Sequence, residues 1–412
     1  MTALVAEAAQ VAAIADALAA APLVAFDLEF LAQDRLVPTL CLVQVAWLPN
    51  QQHLDAVAGA IVSPEWAKIV SATPPEVALV DPLAVDVGPI VRALAAHRRA
   101  VVHAGRQDLQ LLATRFGIAM PQILDTQVMA AFAGIGDQVG FATLANELLG
   151  TSLGKELQWT DWARRPLSDA QLAYADSDVR HLPAIFARLA AQLGPRLAWA
   201  QAESAIVAAD AYAAAQITPE TAWRQLGGLR GLDVSQLSSV VALAAWRQRV
   251  AIELDRPLGQ VLNDKVLVDI ARQRPTEEDA LRSMKGIAPV ARKRASEIIA
   301  ALDDAPPVDL PVRPPSRPPS PRAQRWAELL LSIVQLVSEQ TGVAARLLGT
   351  RADAEEVARA LDERGLDALR LLPAFTTWRR DVLGNAWYGW LTGTLALVGD
   401  PTAPTGLALV PR

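Results

Sequence analysis

Apolar and polar residues alternate along this chain with two different periods, and the changes of period mark out its elements. After an alanine-rich stretch of helical character, Pro22 to Phe30 sets Val24, Phe26, Leu28 and Phe30 against Ala25, Asp27 and Glu29, which predicts a half-buried strand with one polar face. Leu40 to Trp47 predicts a second strand and Ala78 to Asp81 a short third. Ala100 to Ala104 predicts a fourth, leading directly into a helix from about Gln107 to Phe116 that stops at Gly117. Residues 50 to 76, with prolines at 64, 74 and 75, look like an insertion between strands, and beyond Ile123 the pattern turns helical. Strands interleaved with helices in this way predict an α/β domain over residues 1–200.

The rest of the chain reads as helical. Residues 218–302 form a compact unit, with a helix from Ser238 to Leu254, a second opened by Pro257 and a Lys285-Gly286-Ile287 turn before the last. Residues 303–322 hold eight prolines; such a stretch stays extended and cannot build a core, so it is the expected linker. A second helical unit is expected over 323–400. At 412 residues with 52% hydrophobic content, two or three domains with cores of their own are within reach.

Composition narrows the function classes. No apolar run approaches the roughly 18 to 20 residues of a membrane helix, and the alanine-rich start, interrupted by Glu7 and Asp16 with no basic residue before Arg35, lacks the charged region of a signal peptide. A single cysteine, Cys41, excludes an internal disulfide framework and fits a reducing cytosol, so a cytoplasmic location is expected. With four scattered histidines a Cys/His zinc cluster is not expected, and the lack of a Gly-x-x-x-x-Gly-Lys-Ser/Thr loop gives no sign of an ATP motor. The net charge of −6 lies wholly in residues 1–200, which carry 13 basic and 19 acidic residues. Bound divalent cations would cancel much of it, so the acidity is compatible with a phosphate substrate.

Several of those acids stand at intervals that local structure converts into a shared face. In a strand, residues two apart project together, so Asp27 and Glu29 present paired carboxylates, a costly arrangement that a hard cation would relieve. Tyr174 and Asp178, four apart in a helix opened by Ser168 and Gln171 as a capping box, share one helical face, whereas Asp176 points about 200° away from Tyr174. Pro183 is expected to kink that helix. Asp108 falls in the first turn of its helix, where a carboxylate also interacts favourably with the helix dipole. Asp125, before Thr126-Gln127, reads as an N-cap.

The order and spacing of these pieces resemble the DEDD superfamily of 3′-to-5′ exonucleases, in the subclass whose third motif is Tyr-x-x-x-Asp, and within it the ribonuclease D family. The resemblance rests on Phe-Asp-Leu-Glu-Phe at 26–30, Leu-Cys-Leu-Val-Gln-Val at 40–45, His-Ala-Gly-Arg-Gln-Asp-Leu at 103–109, Leu-Asp-Thr-Gln at 124–127 and Thr-Asp-Trp-Ala-Arg-Arg-Pro-Leu-Ser at 160–168. Downstream, the run from Arg256 to Ala271 and Met284-Lys-Gly-Ile287 resemble a helicase-and-RNase-D C-terminal (HRDC) domain, and residues 323–400 are similar to a divergent second copy. The 50–76 connection looks longer than usual for the family and the linker richer in proline.

The resemblance implies an RNase H-like domain, a mixed sheet flanked by helices, followed by two all-α HRDC-type domains. It implies two divalent metal ions, Mg²⁺ or Mn²⁺, with Asp27 shared between them, Glu29 and Asp178 completing one site and Asp108 holding the other. Tyr174 would orient the attacking water, Glu29 would accept a hydrogen bond from the terminal 3′-hydroxyl, and nucleoside 5′-monophosphates would be released. Leu28 and His103 are candidate substrate contacts, as are Arg164 and Arg165 ahead of the third motif and Arg292-Lys293-Arg294 after the Lys285-Gly-Ile turn. The expected partner is RNA, such as tRNA precursors or other small structured RNAs, acted on by a monomer without ATP or membrane. A DNA-directed exonuclease and an inactive nucleic-acid-binding module remain the alternatives, because no residue visibly reads a 2′-hydroxyl.

Overall fold

A computed structural model of the chain describes residues 2–32, 34–49, 64–154, 157, 160–307 and 319–412. Its first part opens with strand β1 (Leu4–Val5), helix α1 (Ala8–Ala20) and the long strands β2 (Val24–Leu31) and β3 (Thr39–Trp47). Helix α2 (Pro64–Ala72), β4 (Glu76–Val80), α3 (Gly88–Ala96), β5 (Ala100–Val102), α4 (Arg106–Phe116) and β6 (Ile123–Asp125) follow. Helices α5 (Thr126–Ala133), α6 (Phe141–Leu149), α7 (Asp169–Arg180), α8 (Leu182–Leu193) and α9 (Leu197–Ala215) complete this part. Among the described residues six strands form one sheet in the order β1-β4-β3-β2-β5-β6. The β4-β3-β2 neighbours are antiparallel, and β1, β5 and β6 join in parallel.

The predicted strands are all present: β2 alternates around its acidic pair, whereas β3 and β5 are apolar runs buried on both faces. Val24, Phe26 and Leu28 of β2, with Val43 and Val45 of β3, pack against α1, α3 and α4 on one face of the sheet. Ala25 and Ala46 face the other way, toward α8 and its neighbours. Helix α4 ends at Gly117 as expected, in the left-handed conformation with φ 67°, where a residue bearing Cβ would be strained.

The presumed insertion is in part a core element. Helix α2 buries Trp66, Ala67 and Val70, and Trp66 meets Phe186 of α8 edge-on at 5.9 Å between ring centroids. Residues 50–63 lie outside the described residues.

The second part packs around the 21-residue helix α10 (Val234–Leu254), followed by the short turn of helix Leu258–Val261, α11 (Asp264–Gln273) and finally α12 (Ala295–Asp303). It touches the first part through the β2–β3 loop. There Arg35 pairs with Asp255 at 2.7 Å, the Leu36 N–H donates to Asp255, and Gln260 donates to Asp34 at 2.8 Å.

Of the proline-rich linker, residues 308–318 lie outside the described residues, and its C-terminal end is already helical. Ser320 caps α13 (Pro321–Thr341), with Pro321 at the first position, where proline costs no hydrogen bond. After α13 come the short helix Ala345–Leu348 and α14 (Arg351–Arg364), repeating the long, short and capped order of the second part. The expectation of helix to residue 400 is corrected here. Beyond α15 (Asn385–Thr392) the chain turns into an antiparallel hairpin, β7 (Leu395–Gly399) with β8 (Leu407–Pro411).

This last part shares a core with the first. Trp378 stacks on Trp199 of α9 at 5.7 Å and meets Phe132 of α5 edge-on at 4.8 Å, while Arg379 pairs with Glu203 at 3.1 Å. Gly134 and Gly342 come so close that a Cβ on Gly134 would lie 2.9 Å from the Gly342 carbonyl oxygen. No helix among the described residues is long and apolar enough to cross a membrane.

Since Trp378 is 9% exposed and fills the seam between the two parts, Trp378→Ala should destabilise the protein by about 3 kcal/mol. Urea unfolding followed by circular dichroism measures this, and an unchanged midpoint would show that the seam carries no stability.

Candidate active site

Strand β2 lies inside the sheet, paired with β3 along its whole length and with β5 at Val24 and Ala25. Asp27 and Glu29 project from one face, as alternation requires. Immediately after Glu29 the β2–β3 register shifts: Glu29 opposes Leu42 but Phe30 opposes Leu40. This bulge ends the regular ladder beside the acidic pair, a position where bulges commonly re-aim side chains.

Helix α7 supplies the next two groups. Its start is fixed by the anticipated capping box, with the Ser168 hydroxyl accepting from the Gln171 N–H and Gln171 accepting from the Ser168 N–H. It stops at Arg180, and α8 begins after His181 with Pro183 in its first turn, so the expected kink is a break between two helices. Ala175 and Val179 are fully buried against the sheet and carry Tyr174 and Asp178 toward β2. Asp176 points elsewhere, bonding Arg180 at 2.5 Å and the Thr2 hydroxyl. Carboxylate oxygens of Asp27, Glu29 and Asp178 lie within 4.8 Å of one another, and the Tyr174 hydroxyl donates to Asp178.

Asp108, 8% exposed in the first turn of α4, stands outside this tight trio but close enough for the Asp27 charge to act on it. The turn that aims it is pinned by Asp125. That carboxylate accepts from the N–H groups of Ala104 at 2.9 Å, Gly105 at 3.0 Å and Gln127 at 2.8 Å. Ala104 takes a left-handed φ of 54°, and at Gly105 a Cβ would sit 2.6 Å from a methyl of Val102, so only glycine fits. Asp125 is therefore the N-cap the sequence predicts and also the clasp of the Asp108 turn. The second role depends on a contact spanning 20 residues and has no local signal.

Packing acids this densely raises their proton affinity. Burial pushes Asp27 up to about 7. Burial, then repulsion from Asp27, Asp178 and Asp108, pushes Glu29 up to about 9, and burial with the Asp27 charge pushes Asp178 up to about 8. Asp108 is raised well above the carboxylate range by burial and by Asp27 and Asp125. Tyr174 is also raised, by burial and by the neighbouring acids, so its phenol stays protonated at neutral pH and acts as a donor.

The remaining candidates separate into those at the site and those engaged elsewhere. His103 hydrogen-bonds Thr126 through Nδ1 at 2.9 Å and packs on Phe141. With Gln127, Leu153, Tyr174 and Asp178 these two line a cavity of about 300 Å³. Leu28, expected as a substrate contact, turns its side chain into the core on the opposite face of β2, because strand alternation places it there.

Arg164 is exposed. Arg165 instead forks onto Asp81 with two bonds of 2.6 Å and donates to the carbonyls of Cys41 and Trp162, fastening the segment before α7 to the sheet. Arg292 and Lys293 are exposed at the end of a short helix, while Arg294 is held by Glu253 at 2.5 Å and Glu297 at 3.3 Å.

A donor set made only of oxygen atoms suits a hard divalent cation. On a mixed sheet, with Tyr-x-x-x-Asp on the adjoining helix, it has the arrangement of an exonuclease site of the DEDD type. A family model described as 3′-5′ exonuclease matches residues 3–194, and one for the HRDC domain matches residues 236–302. Over 398 residues the chain is 34% identical to ribonuclease D of Acidiphilium cryptum (strain JF-5), covering 94% of this chain and 92% of that protein. Ribonuclease D of Granulibacter bethesdensis is 32% identical over 397 residues, with 94% and 92% covered. The crystal structure of Escherichia coli RNase D, described as an exoribonuclease involved in structured RNA processing, matches with a TM-score of 0.76 at 26% identity, covering 95% of this chain and 99% of that one. The chain belongs to the ribonuclease D family, a family of 3′-5′ exoribonucleases.

The raised carboxyls bind protons more tightly folded than unfolded, so the metal-free protein loses stability as pH rises from about 4 through about 9. Divalent cations displace those protons and neutralise the charge. Saturating Mg²⁺ should therefore raise Tm more at about pH 8.5 than at about pH 5.5; equal shifts at both pH values would contradict this.

Proposed function

We propose that the chain trims structured RNA, tRNA precursors among them, from the 3′ end, using two divalent ions held at the acidic cluster, Mg²⁺ or Mn²⁺. The observation that carries this reading is the convergence of Asp27, Glu29 and Asp178 within 4.8 Å, from two elements nearly 150 residues apart in sequence. RNA as substrate is supported by the ribonuclease D relatives and by the exoribonuclease activity ascribed to the E. coli structure. A monomer acting in the cytoplasm without ATP is in keeping with a single buried cysteine and with a sequence that has no phosphate-binding loop of the ATPase type.

Asp27 would be shared by both ions, with Glu29 and Asp178 completing one site and Asp108 the other. When bound, such a pair supplies a water of lowered pKa and charge stabilisation for the attacking and leaving oxygens. The chain's own groups do the positioning. Tyr174, kept protonated, orients the attacking water rather than taking its proton, and its bond to Asp178 holds that carboxylate in place. Glu29 accepts from the terminal 3′-hydroxyl, which selects a free end, and the product is a nucleoside 5′-monophosphate. The cavity lined by His103 and Phe141 beside Tyr174 is sized to take part of the terminal nucleotide.

The 218–302 unit, with Arg292 and Lys293 exposed, would hold RNA by its phosphates. Residues 323–400 would be a second, divergent HRDC-like domain, supported by the repeated order of a 21-residue helix, a four-residue helix and a capped helix. Its shared core with the exonuclease part makes it a brace as well.

Asp27→Asn and Asp178→Asn should each lower metal-dependent release of nucleotide from 3′-labelled RNA by about a thousandfold or more, since several kcal/mol of charge stabilisation are lost. Both should fold, having lost a repelling charge. Full activity in either variant would sink the assignment, and faster trimming of the same sequence as DNA would redirect it. Arg292→Ala with Lys293→Ala should weaken RNA binding and reduce its logarithmic salt slope by about two. An unchanged slope would remove these residues from the interface.

A further inference from the structure

Gln44 is fully buried in β3, and neither the nitrogen nor the oxygen of its amide has a hydrogen-bond partner. Buried amides left in this state are costly, and an apolar side chain of similar size would avoid the cost. Its position explains why an amide stands there. In the sheet register Gln44 lies directly opposite Asp27 on one side and Leu79 on the other. Cross-strand partners of an antiparallel pair project to the same face, with Cβ atoms about 4.5 to 5.5 Å apart.

On that face Gln44 separates two apolar clusters. Ala46 and Ala25 belong to one, with Val179; Leu42 and Leu79 belong to the other, with Ala175. Ala175 and Val179 are one turn apart on α7, so the helix bridges both clusters and passes over the gap that Gln44 fills. Asp178 lies on the same turn. The amide is thus a neutral polar group set into the floor of the acidic site, beside a carboxylate whose hydrogen-bond donor in this structure is the Leu28 backbone.

We infer that Gln44 is a positioning residue for the metal centre: paired directly opposite Asp27 in the β2–β3 ladder, its unpartnered amide is placed to fix which Asp27 oxygen faces the ligand site. The inference rests on the metal-centre reading proposed above. An amide suits this task because it supplies a donor without adding a charge. A lysine would compete with the cation, and a carboxylate would add to the repulsion.

The test is Gln44→Met, which keeps the length and removes the polar atoms, compared with the parent and with Asp27→Asn. Calorimetric titration with Mn²⁺ in the absence of RNA gives the metal affinity, thermal melting of the metal-free protein reports the fold, and trimming of a 3′-labelled RNA separates kcat from KM. The expected result is a metal-free Tm at or above the parent's, Mn²⁺ affinity weakened about 10- to 100-fold, as for other groups that orient metal ligands, and a lowered kcat with KM unchanged. A Gln44→Met protein that keeps the parent's Mn²⁺ affinity and kcat overturns the inference. So does one that fails to fold, because an apolar isostere is harmful there only if the amide serves the fold. Parent-like Mn²⁺ binding by Asp27→Asn would instead overturn the metal-centre reading itself.

Discussion

Mutual repulsion among carboxylates is the constraint around which the first 200 residues are organised. Asp27, Glu29 and Asp178 are held within 4.8 Å of each other, with Asp108 alongside, in surroundings apolar enough to push two of them up to about 8 and 9. No chain would gather these groups spontaneously, since each one weakens the ionisation of the next. The arrangement persists because the elements carrying them are fixed by contacts elsewhere. Strand β2 is held by ladders on both edges, α7 is capped at Ser168, and Arg165 forks onto Asp81 to anchor the segment leading into α7. The Asp125 carboxylate, with three N–H donors, holds the turn before Asp108. The strain is electrostatic and local, and divalent ions bound at the cluster would remove it.

The C-terminal part extends this logic. Were the exonuclease sheet supported only by its own helices, α5 and α9 would leave Phe132 and Trp199 uncovered. Instead Trp378 packs between them, Arg379 reaches Glu203, and a pair of facing glycines lets the backbones meet. The 218–302 unit, by contrast, meets the exonuclease part at the β2–β3 loop, through polar bonds centred on Asp255 and the packing of Leu36 on its core. One accessory part is built into the core of the exonuclease and the other is attached at its rim.

Much of this was legible in the residues. The strand periods, the Gly117 stop, the Ser168 capping box and the turning of Asp178, not Asp176, toward Asp27 and Glu29 all follow from interactions within one or two turns, and each is present in the structure. What was not legible depends on long-range pairing. Arg165 looks like a free cation until the fold brings Asp81 to it across 84 residues. Gln44 is unremarkable in sequence, and only the β2–β3 register sets it opposite Asp27. The β7–β8 hairpin has continuous apolar runs without alternation, a pattern that cannot be told from a buried helix by period alone. Leu28 is a different case: its strand alternation already placed it away from the acids, and the structure follows that alternation.

The central claim is that the clustered acids carry protons until cations replace them. It is tested most directly by counting protons released when Mg²⁺ or Mn²⁺ binds the RNA-free protein near neutral pH, from calorimetric titrations in buffers of different ionisation enthalpy. Raised carboxyls at Asp27, Glu29, Asp178 and Asp108 predict a net release of about one proton or more per protein. Saturable binding with no proton release would contradict the account.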